Sequence, residues 1–140
     1  MRHTKRLVLD ASVAVAWCFA DEATSFTDGI LDLLANGTTV MVPALWPLEV
    51  SNAILSAERK KRLTVAQATA FLRRVSGLPI SLDAMPLGHA FSEVLSVARQ
   101  HQLTAYNAAY LELALRQDLP LATLDEPLRR SARAAGVALM

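Results

Sequence analysis

The 140-residue sequence predicts an α/β protein, an α/β/α sandwich built on a central parallel sheet. Three observations predict it. Short apolar runs take turns with longer stretches of helical periodicity, as strand–helix–strand crossovers require. Helix start and stop residues fall at the borders of those stretches. No repeat, linker or low-complexity segment interrupts the order, so residues 1–140 are expected to form one domain.

"LVLD" (Leu7 to Asp10) is the first strand, and "SVAVAWCFA" begins a helix behind it. A second helix is expected from Ala23 to Asn36, stopped by Gly37, because glycine takes the left-handed geometry of a helix end. "TTVMV" (Thr38 to Val42) is rich in β-branched residues and reads as the second strand. "PALWPLEVSNAILSAERKKR" then forms a long helix with Pro47 in its first turn, where a missing N–H costs nothing. Thr64 caps another helix through Val75, and "PISLD" makes a short strand. Leu87 to His101 and Tyr106 to Gln117 are further helices. "PLATLD" (Pro120 to Asp125) is a buried strand, "EPLRRSARAAG" a last helix ended by Gly136, and "VALM" a final edge strand.

Composition narrows the function. A hydrophobic content of 53% is high for a small domain, so apolar surface is expected to meet a partner, with a homodimer as the default. Lys+Arg 14 against Asp+Glu 13 gives no overall pull toward nucleic acid. Cys18 alone can form no internal disulfide, which suits a reducing cytoplasm. With His3, His89 and His101 scattered, a zinc site lacks ligands. "MRHTKR" followed by an apolar stretch imitates a signal peptide, but Asp10 and Ser12 interrupt it, and "VAVAWCFA" is too short to span a membrane.

The acids carry the chemistry. Asp10 ends the first strand, Asp125 ends "LATLD", and Glu49 stands in the first turn of the helix after the second strand. In a parallel sheet all strand carboxyl ends share one rim, so these residues are expected to converge there. Each also has a plain structural role available, as a helix cap or a first-turn acid facing the dipole. Glu49 lies among apolar neighbours in "LWPLEVSNAIL" and needs compensation, for which Asn52, one turn on, is a candidate. Crowded carboxylates repel, and a hard divalent cation, Mg²⁺ or Mn²⁺, relieves the conflict through oxygen ligands. Such an ion can activate water and orient a phosphodiester.

Asn107 breaks a pattern. Thr104 reads as an N-cap, and the third helical position after it favours an acid, yet it holds a neutral amide.

"VLDASVAVAW", "PALWPLEVSNAIL", "LTAYNAAYLELA" and "LATLDEPLRRSA" resemble, in order and across nearly the whole chain, the four motif blocks of PIN-domain ribonucleases of the VapC toxin type. The resemblance implies a Mg²⁺- or Mn²⁺-dependent endoribonuclease that cuts structured RNA, tRNA or rRNA, and is silenced by a VapB-type antitoxin. It assigns the first, second and fourth acids, the metal ligands, to Asp10, Glu49 and Asp125, with Thr123 and Ser12 in support. The third acid belongs at Asn107, where the family pattern is "TAYDAAY". Natural drift and a deliberate acid-to-amide change that disarms a toxic enzyme both account for it, and the intact surroundings favour the second. Either way the amide carries one charge fewer for a cation and cannot act as a base.

Arg129 and Arg130, about a turn beyond Asp125, are the better phosphate contacts for RNA. Arg73, Arg74 and Arg133 are further candidates, while "ERKKR" has a plainer reading as a solvated helix end that satisfies the dipole. Trp17, Trp46, Tyr106 and Tyr110 are expected mainly in core or interface, with base stacking as the alternative. Cys18 is expected as a small buried hydrophobe, and His89 and His101 as surface residues without catalytic duty. The rival function is an inert PIN-type module that binds antitoxin or RNA without cutting. A receiver-like domain is excluded by the lack of adjacent acids after the first strand, and a haloacid-dehalogenase-type site by Ser12 two residues after Asp10.

Overall fold

The computed structural model describes residues 5–140, which leaves His3 outside it. Strand β1 (Arg6–Leu9) leads into α1 (Ala11–Ala16), a single 3-10 turn (Ala20–Glu22) and α2 (Ser25–Ala35). Strand β2 (Thr39–Pro43) is followed by α3 (Trp46–Arg59) and α4 (Val65–Ser76), and β3 is Ile80–Asp83. Next come α5 (Leu87–His89), a π-helical segment (Ala90–Val94), α6 (Leu95–His101) and α7 (Ala105–Gln117). Strand β4 (Leu121–Ala122) and α8 (Glu126–Ala135) complete the chain.

The four strands are parallel in the order β3-β2-β1-β4. Leu7, Val8 and Leu9 are fully buried, because β1 is central and covered on both faces. The chain builds outward from β1 through β2 to β3 and then crosses to the other side of β1 for β4. This reversal opens a crevice beyond the carboxyl ends of β1 and β4, the usual location of a site in an open α/β sheet.

Local signals behave as the sequence suggests. The Thr64 hydroxyl accepts the Gln67 N–H at 3.1 Å while Gln67 Oε1 accepts the Thr64 N–H at 3.0 Å, a reciprocal cap on α4. Thr64→Ala is therefore expected to destabilise the fold by about 1 kcal/mol, read as a shift of the urea midpoint. Gly37 and Gly136 adopt φ of 103° and 81°, the left-handed geometry that ends their helices.

Two elements differ from expectation. The strand expected over Pro120 to Asp125 is paired only at Leu121–Ala122, since Thr123 and Asp125 turn their polar groups to the rim and the cap of α8. "VALM" contributes only an isolated bridge, Leu121 to Leu139. The helix over Leu87 to His101 is present, but the π-helical segment takes up extra backbone in its middle. No helix among the described residues is long and apolar enough to cross a membrane.

Candidate active site

Asp10 follows β1 directly, and its N–H bonds the Ala122 carbonyl at 2.9 Å, which fixes it against the end of β4. Although Asp10 occupies the N-cap position of α1, its side chain caps nothing. It turns instead into a buried cradle, where the Ser12 and Thr123 hydroxyls each donate to Oδ2 at 2.7 Å. The directions are forced. Ser12 Oγ also accepts the Leu124 N–H, and Thr123 Oγ1 the Asp125 N–H, both at 3.0 Å, so each hydroxyl's one proton is free for Asp10. Ser12 and Thr123 thus both bond the Asp10 carboxylate.

Asp125 does cap its helix, Oδ1 accepting the Leu128 N–H at 2.9 Å. The cap does not remove it from the rim, since the Thr123 hydroxyl joins its backbone to the Asp10 carboxylate and its charge acts on Asp10. Glu49, half-buried in the first turn of α3, accepts a hydrogen bond at Oε1 from the Tyr110 hydroxyl. Asn52 does not supply this bond. It is exposed and makes no hydrogen bond with Glu49 among the described residues, because a Glu set toward the sheet is met by α7 rather than by its own helix. Asn107 stands half-buried one turn before Tyr110, on the same side of α7; its N–H bonds the Thr104 hydroxyl at 3.1 Å.

Electrostatics tie the acids together. Burial pushes the Asp10 carboxyl above its ordinary range, the Ser12 and Thr123 hydrogen bonds oppose this, and the Asp125 charge adds to it. Burial likewise raises Glu49 against the Tyr110 hydrogen bond, and the Asp10 charge raises it further. Burial and then the Glu49 contact raise Tyr110, which stays protonated at any physiological pH. An acid raised in the folded chain binds its proton more readily there than when unfolded. Its stabilising contribution is therefore full below the ordinary carboxylate range and is lost as pH rises through the raised value. The metal-free chain is expected to melt at lower temperature at about pH 8 than at about pH 4 on account of these groups, and Asp10→Asn to shrink that difference. Thermal melts in EDTA at both pH values check this.

Among the described residues these hydrogen bonds engage Oδ2 of Asp10, Oε1 of Glu49 and Oδ1 of Asp125, so the opposite oxygen of each acid takes no part in them. The ion pairs of the described residues all involve other side chains. With these rotamers no three metal-binding groups among the described residues are gathered into one cluster. The donor set nonetheless fits a hard divalent ion, which takes one or two carboxylates and completes its shell with water.

Arg129 donates to the Thr123 carbonyl at 3.0 Å, and Arg130 is exposed. Of the aromatic residues, Tyr106 is 65% exposed, Trp46 is buried, and Trp17 donates to the Thr27 carbonyl. Tyr110, fully buried, is unavailable for base stacking and was not among the expected site residues. The signal for it was a phenol on an apolar helix face, whose hydroxyl needs a partner. His89 is not a free surface residue: its imidazole lies 2.9 Å from Glu112 and 3.3 Å from Glu93. Cys18 is partly buried against the core, and Arg62 of "ERKKR" pairs with Asp21 and Glu22.

Comparison with known proteins agrees with the fold. The PIN domain family profile matches residues 7–134, and the chain belongs to that family, whose members are generally nucleases. Among solved structures it is similar to PAE2754 from Pyrobaculum aerophilum, with TM-score 0.71 and 23% identity over 91% of this chain and 85% of that one. VapBC2 from Rickettsia felis, solved bound to a DNA fragment from its promoter, gives 0.67 and 14% over 96% and 97%. FitAcB from Neisseria gonorrhoeae gives 0.64 and 19% over 96% of both chains. No curated protein matches the chain.

Proposed function

We propose that the chain is one PIN unit of the VapC toxin type, a Mg²⁺- or Mn²⁺-dependent endoribonuclease acting on structured RNA, tRNA or rRNA, and weakened by Asn107. The observation that carries this reading is the strand-switch rim. Three carboxylates are coupled there, each has one oxygen outside the hydrogen bonds described above, and among the described residues none is neutralised by an ion pair.

Asp10, Glu49 and Asp125 would hold the cation. When bound, it supplies water activation and neutralises charge on the reacting phosphate. The water oxygen bonds to phosphorus and the 3′-oxygen leaves with a proton, giving a 5′-phosphate and a 3′-hydroxyl. Ser12 and Thr123 hold Asp10 in one setting, so little reorganisation remains at the moment of reaction. Arg130 and the outer edge of Arg129 contact RNA phosphates, which makes binding weaken as salt rises. Asn107 presents a neutral amide where a fourth acid would add charge and basicity.

A VapB-type antitoxin is the proposed silencing partner, in the reducing cytoplasm, with a homodimer as the assembly. Support comes from an apolar cavity of about 290 Å³ lined by Trp17, Leu31, Phe71, Val75 and Leu78 and edged by Arg74, which suits an amphipathic helix carrying acids.

Asn107 also favours a second reading, an inert module that binds antitoxin or RNA without cutting. One experiment separates the two: RNA cleavage with Mn²⁺ or EDTA by this chain, by Asn107→Asp, and by Asn107→Asp combined with Asp10→Asn. The nuclease reading expects Mn²⁺-dependent products from the single variant and none from the double. Inertness of all three leaves the binding module.

A further inference from the structure

We propose that Tyr110 is a positioning residue of the acid rim, its hydroxyl holding the Glu49 carboxylate at a fixed setting beside Asp10. The inference rests on the nuclease reading and adds to it a residue that touches no substrate.

Glutamate at a helix start is a poor ligand unless something immobilises it, because three side-chain torsions must be frozen when an ion binds. Tyr110 offers a rigid partner. Its ring is fully buried in the main core, and it stands on α7, which packs on β1 and β2. A core position of this kind is satisfied by phenylalanine. The added hydroxyl meets Glu49, 61 residues away in the chain. One phenol oxygen thereby ties α7 to the first turn of α3 and fixes the setting of the acid carried there. It engages Oε1, and among the described residues Oε2 takes part in no hydrogen bond and is left for an ion. With Asn107 one turn earlier, α7 serves the rim at two positions.

The test is a titration with Mn²⁺ alone, followed by water-proton relaxation, on this chain and on its Asn107→Asp variant, each with and without Tyr110→Phe. Glu49→Ala serves as reference, and melting in EDTA reports folding. Tyr110→Phe is expected to weaken Mn²⁺ binding by about tenfold, the usual effect of removing a group that orients a metal ligand. It should cost much less than that once Glu49 is already alanine, since the two act through one contact. Undiminished Mn²⁺ binding by Tyr110→Phe, where Glu49→Ala loses it, would overturn the inference and spare the nuclease reading. Undiminished binding by Glu49→Ala would remove Glu49 as a ligand and defeat that reading first. A crystal structure of the metal-free chain gives a check independent of variant folding: Glu49 on the Tyr110 hydroxyl supports the proposal, and Glu49 turned to solvent refutes it.

Discussion

Asn107→Asp is expected to raise Mn²⁺-dependent RNA cleavage by roughly 100-fold or more, the scale on which a single group stabilising transition-state charge acts. Local structure already accommodates an acid there. The Thr104 hydroxyl caps α7 by accepting the Asn107 N–H, and the first turn of α7 contains no acid, so a carboxylate at this position complements the helix dipole. That gain is about 0.3–1 kcal/mol. Repulsion from the other rim acids works against it, so the metal-free variant is expected to melt close to the parent. Addition of Mn²⁺ should then raise its melting temperature more than the parent's, because the ion binds the folded state more tightly. Activity and melting together are informative. A larger Mn²⁺ shift without cleavage would place the added acid at the ion while denying the enzyme, and no change in either would detach position 107 from the rim.

The fold was legible to the extent that it is governed by local rules. Thr64, Thr104 and Asp125 cap helices through their own side chains, and Gly37 and Gly136 end them. Asp10 and Asp125 could be assigned to one rim because strand direction and strand ends suffice for that. Asn52 was a misdirected expectation of the same local logic: i+3 on one helix is a neighbour in every helix, but which neighbour a side chain prefers depends on what packs opposite. Glu49 and Tyr110 met across 61 residues, and only the docking of α7 on the sheet determines that. Two unmet needs were visible, an acid among apolar residues in α3 and a phenol on an apolar face of α7, without a rule to match them. The π-helical segment left no trace for a similar reason, since one added residue in a turn changes the helical phase less than ordinary pattern noise.

The same blindness hid the ionic network that joins β3 to α7, and its disruption is expected to have the largest effect on stability. Arg116 grips Asp83 with two nitrogens, Nη2 to Oδ2 at 2.6 Å and Nη1 to Oδ1 at 3.2 Å, while its Nε donates to Glu112 Oε2 at 3.1 Å. Both acids are more than nine-tenths buried, whereas the guanidinium keeps 32% of its side chain in solvent. The cation thus remains partly hydrated and the carboxylates do not, so removing the cation is the costly direction. Arg116→Met leaves the acids without their common partner, and breaking a buried pair in this way costs about 3–5 kcal/mol. For a chain of this size that corresponds to a fall in melting temperature of roughly 10 °C or more. Adding Asp83→Asn and Glu112→Gln to Arg116→Met should recover part of the stability, because neutral amides leave no buried charge behind. Urea denaturation of the single and triple variants measures both quantities. A cost below about 1 kcal/mol would mean that the network behaves as a solvent-screened surface cluster, and β3 would then be held by its pairing with β2 alone.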